Sequence, residues 1–411
     1  MTLSSVVIVG AGQAGFQVAA SLRQGGFTGK IRLIGDEQGL PYQRPPLSKA
    51  YMLGKIKADN LAFRPASFFD QQEIELIQDK AAIIDRQNQR IVLESEKALQ
   101  YEHLVLATGA HNRPLSIPGE HLEGVFGIKT LSDANALAPR VKEAKNVVVI
   151  GCGFIGLEFA AVAAAQGANV QVIDRGDRPM ARAISPEMSA LFLKSHESWG
   201  VKFHFNQAVD QIIGENGKVV GVEKVNGETI SADLVVYGIG VIPNIALAME
   251  AGLEIENGIK VDAHLLTNDP HISAIGDVAC FPCVHNRGIQ TRIESVPNAM
   301  EQARAVSARL LGNAAPFAAT PWFWTDQGDL KLQIVGLSTG FDTTVTLGSM
   351  ESKQFSVLCF RKDHLVAVES CNRPGDHLAG KKLLSRPAVL TPREAREPGF
   401  DLKAWELAHR T

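Results

Sequence analysis

The sequence Val6-Val-Ile-Val-Gly-Ala-Gly-Gln-Ala-Gly15 returns in almost the same form as Val147-Val-Val-Ile-Gly-Cys-Gly-Phe-Ile-Gly156. Each copy joins a four-residue apolar run, typical of a buried parallel strand, to Gly-x-Gly-x-x-Gly and then to a helical pattern. The first glycine permits a tight turn, the second lets a pyrophosphate approach the backbone, and the third lets the helix pack closely on the strand. The positive end of the helix dipole then faces the phosphates. Two copies in one chain predict two dinucleotides, each bound by a Rossmann-like domain.

An acidic residue follows the next strand after each glycine motif. Ile31-Arg-Leu-Ile34 leads to Asp36 and Glu37, and Val170-Gln-Val-Ile173 leads to Asp174 and Arg175. A carboxylate about twenty residues past the turn accepts hydrogen bonds from ribose hydroxyls, whereas an arginine accepts a 2′-phosphate. A lone acid at a strand end is commonly a solvated charge, but the glycine motifs favour binding to ribose. We predict this role for Asp36, in preference to Glu37, and for Asp174, with NADH preferred over NADPH.

Composition and charge exclude several classes of function. The 411 residues are 45% hydrophobic and 21% charged, with a formal net charge of −3. These values are ordinary for a globular chain, whose length corresponds to roughly three domains. A nucleic-acid partner would demand a basic surface. No apolar run reaches the roughly eighteen residues of a membrane span, and no basic or cleavable signal segment precedes the first strand. We therefore predict a cytoplasmic protein with neither a nucleic-acid nor a membrane partner.

The patterns predict an α/β fold in four segments. Residues 1–112 form the first part of one nucleotide-binding domain, 113–245 form the second such domain, and 246–319 return to the first. Residues 320–411 form a small α+β domain with strands at 332–335, 344–347, 355–360 and 365–368, and a solvated tail from 386. A helix is predicted at 297–311, after the strand that ends in Gly276-Asp277.

The five cysteines are predicted to be free thiols: Cys152, Cys280, Cys283, Cys359 and Cys371. Cys280-Phe-Pro-Cys283 has the spacing of a redox pair or of half a zinc site, but no second pair accompanies it. We therefore expect no metal site, and Cys280 and Cys283 leave open a redox role.

The order of the motifs resembles that of the glutathione-reductase-type flavoproteins: an FAD glycine turn, an Ala-Thr-Gly strand end, an NAD glycine turn, a Gly-Asp strand end and a C-terminal domain. Within that class the chain is most similar to the NADH-dependent ferredoxin reductases of bacterial oxygenase systems, the putidaredoxin reductase and biphenyl dioxygenase reductase group. The specific marks cover nearly the whole chain, and they are Leu40-Pro-Tyr-Gln-Arg-Pro-Pro-Leu-Ser-Lys49, Arg292-Ile-Glu-Ser-Val-Pro-Asn-Ala299 and Pro321-Trp-Phe-Trp-Thr-Asp-Gln327.

The resemblance implies two sets of cofactor-binding residues. For FAD they are Gly10, Gly12, Ala14, Gly15, Asp36, Arg44, Lys49, Ala81, Lys129, Asp277 and Val296. For NAD they are Gly151, Gly153, Ile155, Gly156, Asp174, Arg175 and Gly240. Many relatives carry arginine where this chain has Lys129, which keeps the charge but loses the planar fork of a guanidinium.

Three residues are implied to act in the reaction. The resemblance pairs Lys49 with Glu158 beside flavin N5, where a lysine would stabilise negative charge on the reduced flavin. Trp324 is the third, although a tryptophan here could equally be a core aromatic at a domain interface. We expect Trp322 and Trp324 to point to opposite faces of an extended segment, so that one packs in the C-terminal core and the other reaches the flavin.

The position of the cysteines favours one subclass. In this class, disulfide reductases carry a cysteine pair facing the flavin after the first helix, and NADH peroxidases and oxidases carry one cysteine there. Residues 1–151 contain no cysteine. We predict an FAD-dependent NADH:ferredoxin or rubredoxin reductase, monomeric or homodimeric, that reduces a small iron–sulfur protein (Rieske-type, two-iron or rubredoxin) serving an oxygenase, for example in aromatic hydrocarbon catabolism. The alternatives are an NADH-dependent disulfide or peroxide reductase that uses Cys280 and Cys283, and a redox-sensing interaction protein.

Overall fold

A computed structural model describes residues 3–386 and 389–409 and divides the chain into two compact units. The first unit combines the N-terminal segment up to Gln43 with Leu61–His111 and Ile242–Phe323. The second combines Arg44–Asn60 with Asn112–Val241 and the C-terminal segment from Trp324. Each unit is therefore assembled from segments that are far apart in the sequence.

The elements are numbered in chain order within the described residues. The strands are β1 (Ser5–Val9), β2 (Lys30–Gly35), β3 (Ile74–Gln78), β4 (Ala81–Asp85), β5 (Arg90–Leu93), β6 (Ala98–Gln100), β7 (His103–Leu106), β8 (Ala110–Asn112), β9 (Val125–Gly127), β10 (Asn146–Ile150), β11 (Asn169–Ile173), β12 (Lys202–His204), β13 (Val209–Glu215), β14 (Lys218–Lys224), β15 (Thr229–Ser231), β16 (Leu234–Tyr237), β17 (Val241–Pro243), β18 (Ile259–Lys260), β19 (Ile272–Ala274), β20 (Ala279–Cys283), β21 (Ile289–Thr291), β22 (Trp322–Gln327), β23 (Leu330–Gly336), β24 (Thr343–Ser349), β25 (Gln354–Arg361) and β26 (His364–Cys371). The helices are α1 (Gln13–Gln24), α2 (Ala66–Gln71), α3 (Leu131–Glu143), α4 (Phe154–Ala165), α5 (Pro186–Ser198), α6 (Ala246–Glu250), α7 (Val296–Leu310), α8 (Pro374–Leu384), α9 (Pro392–Ala395) and α10 (Leu402–Ala408).

A parallel sheet of order β19–β7–β1–β2–β3 forms the centre of the first unit. Ile8 in the central strand β1 pairs with Leu33 on one side and with Val105 on the other. Val6, Val7 and Ile8 have no exposed surface, which explains why this strand is uniformly apolar instead of alternating. Helices α1 and α7 pack together, and Ser307 Oγ on α7 donates to the carbonyl of Val18 on α1 (3.3 Å).

The second unit repeats this arrangement with the parallel order β12–β11–β10–β16–β9. Val149 in the central strand β10 pairs with Val172 and Val236. Strand β10 is thus paired in parallel on both sides, as β1 is in the first unit. Helix α4 follows β10 as α1 follows β1. Two Rossmann-like sheets are present, as the duplicated motif predicts.

The third glycine of each motif allows the helix to approach the turn. A Cβ atom on Gly15 would lie 1.9 Å from the carbonyl oxygen of Gly10, and one on Gly156 would lie 2.1 Å from that of Gly151. Gly10 and Gly151 themselves have φ angles of +104° and +100°, a left-handed conformation that disfavours residues with a side chain. The local geometry therefore requires glycine at all four positions.

The C-terminal segment forms a sheet of order β22–β23–β26–β25–β24, in which β23, β26, β25 and β24 pair antiparallel. Helix α8 packs on β26 and β23, and α10 packs on α8. With the two parallel sheets, this segment confirms the predicted α/β fold with a small α+β C-terminal domain. No helix among the described residues is long and apolar enough to cross a membrane.

The tail from residue 386, predicted to be solvated, is exposed at most of its charged residues, but some of its described residues are buried. Leu390 and Leu402 have no exposed surface, and Arg386 Nη2 lies 3.1 Å from Glu406 Oε1, whose side chain is buried. The tail includes a short helix, α10, which packs on α8 and buries Leu402 and Glu406. Residues 387–388 and 410–411 lie outside the described residues.

We predict that Gly15→Ala destabilises the protein by roughly 1–3 kcal/mol or more, the usual range for overpacking, because the new Cβ would overlap the Gly10 carbonyl. Urea unfolding monitored by circular dichroism measures the change. Gly12→Ala is the matched control, since no atom lies within 4 Å of its Cβ position and its φ of −77° suits alanine. Equal stabilities for the two variants would contradict the close packing at Gly15.

Candidate dinucleotide sites and a buried ion pair

The N-termini of α1 and α4 are open to a ligand. Gly12 and Gly153 are their N-cap residues, and no side chain caps either helix, whereas Thr130, Ser185 and Ser295 cap α3, α5 and α7 through side-chain oxygens. A Cβ on Gly12 would meet no atom within 4 Å, and one on Gly153 would meet only the Gly238 carbonyl oxygen at 3.8 Å. Helix N-termini without a side-chain cap and beside open space fit a pyrophosphate.

Asp174 is held against the second glycine turn. Its Oδ2 accepts a hydrogen bond from the backbone N–H of Cys152 (2.7 Å), and its Oδ1 accepts one from Gly176 (2.6 Å). The carboxylate therefore fixes the end of β11 to the turn after β10. Each oxygen retains a second lone pair, so a bound ribose could still donate to it. The sequence predicted the acid but not this tie to the backbone.

The remaining residues predicted for NAD lie in the same unit as this turn. Gly240 has a φ of +102° with no atom near its Cβ position, and Arg175 is exposed. Ile155 is 42% exposed, although most of α4 around it is buried. An exposed apolar side chain one residue before Gly156 offers a surface for a planar ring. The contacts of these residues with NAD stay predictions.

In the first unit, the chain brings the Gly276-Asp277 turn next to the first glycine motif. A Cβ on Gly276 would lie 3.1 Å from the Cβ of Ala14. The carbonyl of Asp277 accepts from Arg292 Nη1 (3.2 Å), and the N–H of Gly276 donates to Gln302 Oε1 (2.7 Å). The Gln302 bond fixes the turn against α7, whose first residue is Val296. Asp36 is exposed just after β2, and Ala81 begins β4. The Gly276-Asp277 turn and the first glycine motif thus lie side by side, and their contacts with FAD stay predictions.

Arg44 and Lys129, both in the second unit, are joined through the backbone. Arg44 Nη1 donates to the carbonyl oxygen of Lys129 (2.9 Å), and the N–H of Lys129 donates to Asp133 Oδ2 (3.0 Å). This contact uses the main chain of Lys129, so lysine in place of arginine leaves it unchanged.

Lys49 and Glu158 form an ion pair, as predicted. Lys49 Nζ lies 2.8 Å from Glu158 Oε1, and the Glu158 side chain is only 2% exposed. The carboxylate also accepts from Ser48 Oγ (2.5 Å) and Thr325 Oγ1 (2.6 Å). Glu158 is the only charge on the buried face of α4, and three donors compensate for its desolvation. The position of the pair beside a flavin stays a prediction.

A buried polar chain beyond Thr325 was missed in the sequence. Gln327 Nε2 donates to Thr325 Oγ1 (3.2 Å), and Gln327 Oε1 pairs with His196 Nε2 (2.8 Å). Burial lowers the pKa of His196 to about 4, so its ring is neutral at pH 7 and donates from Nε2. Each hydrogen bond in this buried polar series points its donor towards Glu158. The available signal was that Thr325 and Gln327 lie two residues apart in an extended segment and therefore share a face.

The prediction that Trp322 and Trp324 point to opposite faces was wrong. They are two residues apart within one strand, β22, and side chains two apart share a face. The opposite, buried face carries Thr325 and Gln327. Trp324 therefore lies beside the residue that binds Glu158, but on the other face of the strand.

The cysteines are poor nucleophiles. All five are free and buried. Burial raises the pKa of the Cys152 and Cys371 thiols to about 12, and it also raises the pKa of Cys280, Cys283 and Cys359. Cys280 and Cys283 are three residues apart in β20, so their side chains leave opposite faces of the strand. Among the described residues no cluster of histidine, cysteine and acidic side chains could hold a metal ion.

Comparisons with known proteins extend over nearly the whole chain. Residues 4–303 match the family described as pyridine nucleotide-disulphide oxidoreductase, and residues 322–405 match the reductase C-terminal family. Rhodocoxin reductase of Rhodococcus erythropolis is 47% identical, over 99% of this chain and 95% of the relative. The ferredoxin reductase for the CYP199A2 system of Rhodopseudomonas palustris is 49% identical with a TM-score of 0.96, covering 98% of this chain and 100% of that one. A covalent putidaredoxin reductase–putidaredoxin complex matches with 37% identity and a TM-score of 0.95, covering 99% of each chain.

We predict that none of the thiols reacts readily with a disulfide reagent such as dithionitrobenzoate in the folded protein at pH 8. Burial and a raised pKa leave almost no accessible thiolate, which is the reactive form. All five should react after unfolding in guanidinium chloride, which provides the internal control. One or two thiols reacting within seconds in the native protein would contradict the burial of this set.

Proposed function

We propose that this chain, which belongs to the pyridine nucleotide-disulphide oxidoreductase family, transfers electrons from NADH through FAD to a small iron–sulfur protein. The observation that carries the proposal is the presence of two open glycine turns, one in each unit. Similarity to reductases of ferredoxins, rhodocoxin and putidaredoxin supports the class of acceptor. An oxygenase that draws electrons from that iron–sulfur protein would be the final consumer.

The cofactors would carry the electrons, and the residues of the protein would bind the cofactors. Bound FAD would supply two-electron uptake and one-electron release, which would match NADH to a one-electron iron–sulfur acceptor. The residues around Gly12 and Gly153 bind the pyrophosphates. Asp36 and Asp174 bind the ribose hydroxyls, and the carboxylate of Asp174 opposes a 2′-phosphate, so that NADH is preferred over NADPH.

The buried thiols argue against a disulfide or peroxide reductase. A thiol relay needs a reactive thiolate within reach of the flavin, and residues 1–151 supply no cysteine. Cys280 and Cys283 diverge from one strand, and burial raises the pKa of both.

The free thiols also fit a reducing compartment, so we propose a cytoplasmic location.

The test of this function is an NADH-driven assay with a panel of two-iron ferredoxins, a Rieske-type ferredoxin and a rubredoxin. We expect multiple turnovers with at least one of them and no reduction of glutathione disulfide or peroxide above background. The double variant Cys280→Ser/Cys283→Ser should keep its rate within a few-fold. A hundredfold loss with FAD still bound would support a thiol relay, and no turnover with any iron–sulfur protein would favour a sensing role.

We propose further that the Lys49–Glu158 pair acts on the flavin. A lysine ammonium held by a buried carboxylate is a fixed positive charge, and it would stabilise the negative charge that FAD gains on reduction. Glu158 and its donors Ser48 and Thr325 then serve to hold the lysine in place.

Lys49→Met should lower the reduction potential of bound FAD and slow its reduction by NADH about tenfold, which corresponds to about 1.4 kcal/mol. Spectroelectrochemistry and stopped-flow absorbance measure the two quantities. The matched control is Lys224→Met, because Lys224 is also a largely buried lysine of the second unit (3% exposed, against 18% for Lys49) but pairs with Glu228 (2.7 Å). An unchanged potential in Lys49→Met would show that the pair does not act on the flavin.

Trp324 is proposed to lie on the route by which electrons leave. Its residue type, its place on β22 next to Thr325 and the family resemblance support this role. Trp324→Ala should reduce the rate with the iron–sulfur protein about tenfold more than the rate with ferricyanide, because a small dye needs no docking surface. The control is Trp405→Ala, which removes a tryptophan of α10 that stacks on His409. This variant should change neither rate. Equal losses with both acceptors would mean that Trp324 serves only to hold the flavin.

A further inference from the structure

Glu369 is a fully buried carboxylate in the C-terminal sheet that binds the second nucleotide domain. It lies on β26 with no exposed surface. Its Oε1 and Oε2 accept the backbone N–H of Ser185 (2.9 and 3.1 Å), and Oε2 also accepts the hydroxyl of Ser185 (2.6 Å). Ser185 is itself fully buried and is the N-cap of α5. A charge-assisted set of bonds therefore joins the C-terminal sheet to the start of α5.

Ser185 ends the segment of residues 174–185, which we call the ribose loop because it begins with Asp174. The middle of this loop is tied to the second glycine turn, since Met180 N–H donates to the Cys152 carbonyl (3.0 Å) and Cys152 Sγ donates to the Arg178 carbonyl (3.5 Å). Arg178 Nη1 in turn donates to the carbonyl of Ile184 (3.0 Å). The ribose loop is thus fixed by Asp174 at one end and by Glu369 at the other.

The surroundings of Glu369 make its charge state sensitive to pH. The charged and titratable groups that face it are Cys359 on the neighbouring strand β25, Glu187 on α5 and Arg178 in the ribose loop. The pKa of Glu369 is raised to about 7, chiefly by burial and also by Glu187, while the Ser185 bonds and Arg178 oppose the rise. Above this pH both oxygens are acceptors. Below it, one oxygen carries a proton, and the neutral carboxyl group accepts more weakly from Ser185 than the carboxylate does.

We propose that Glu369 is a positioning residue for NADH, which holds the ribose loop in the conformation that presents Asp174 to the nucleotide. The C-terminal domain would then contribute to NADH binding without touching the nucleotide. This inference rests on the proposed function, because it takes the second glycine turn as the NADH site. Glu369 should affect only the binding of NADH, so the rate at saturating NADH should not depend on this residue.

The proposal also predicts opposite effects of protonation on binding and on stability. Because the folded-state pKa of Glu369 lies above the ordinary value of 4.5, its favourable contribution to stability is complete below about 4.5 and is lost as pH rises through about 7. NADH binding should change in the other sense and strengthen as pH rises through the same range. A residue with only a structural role would not change stability and NADH binding in opposite directions.

The experiment compares the wild-type flavoprotein with Glu369→Gln. Calorimetric titration with NAD⁺, which binds without reducing the flavin, gives the Kd between pH 6 and 8. Steady-state assays with ferricyanide give kcat and the KM for NADH. We expect a rise of about fivefold in Kd and KM at pH 8, since one hydrogen bond to a charged group is lost. The kcat of Glu369→Gln should stay within twofold of the wild-type value. The pH dependence of Kd that we expect for the wild type should be absent in this variant.

Two further variants keep the test decisive. Asp376→Asn is the matched control, because Asp376 is also a buried acid of the C-terminal domain but binds Ser356 (2.7 Å) and Arg373 (2.6 Å), away from the ribose loop. It should keep the wild-type Kd. Ser185→Ala, which removes the hydroxyl donor, should raise Kd in the same direction as Glu369→Gln and serves as the test if that variant does not fold.

The outcomes separate this inference from the function on which it rests. If the wild type binds NAD⁺ and Glu369→Gln binds it equally well with the same pH profile, Glu369 does not position the loop and the inference is overturned. A fall in kcat with an unchanged KM would overturn it as well. A wild-type protein that binds no NAD⁺ would overturn the proposed function.

Discussion

The close approach of a helix to the turn before it is the constraint on which both nucleotide sites depend. At Gly15 and Gly156 the helix packs so near the preceding glycine carbonyl that a methyl group would overlap it. This packing directs the uncapped N-termini of α1 and α4 to the space beside Gly12 and Gly153. The duplication means that one solution to phosphate binding is used twice, once for each dinucleotide.

Carboxylates buried in the second unit connect the sites to the rest of the protein. Glu158 on α4 binds Ser48 and Lys49, which are adjacent in the sequence, and Thr325, which lies far from them. Glu369 does the same for the ribose loop through Ser185. A buried charge is costly unless several donors surround it, and these donors restrict the geometry of the segments that supply them. Such residues can hold reactive groups in place without contacting a ligand.

The sequence predicted the features that depend on local patterns. The two glycine turns, the acids after β2 and β11, and the strands of the C-terminal sheet follow from periodicity and motif spacing. The Lys49–Glu158 pair was accessible only through the family resemblance, because the two residues are 109 positions apart and no pattern links them. The bonds of Glu369 to Ser185 and of Gln327 to His196 were missed for the same reason. The faces of Trp322 and Trp324 were assigned wrongly although strand periodicity determines them.

If two dinucleotides bind to one chain and exchange electrons, NADH should reduce the flavin of the isolated protein. An anaerobic titration of the purified protein with NADH, followed by visible absorbance, tests this. We expect a bound flavin spectrum near one FAD per chain, and its loss on addition of about one equivalent of NADH, since each nicotinamide supplies two electrons. A protein that retains no flavin, or whose flavin spectrum is unchanged by excess NADH, would contradict it.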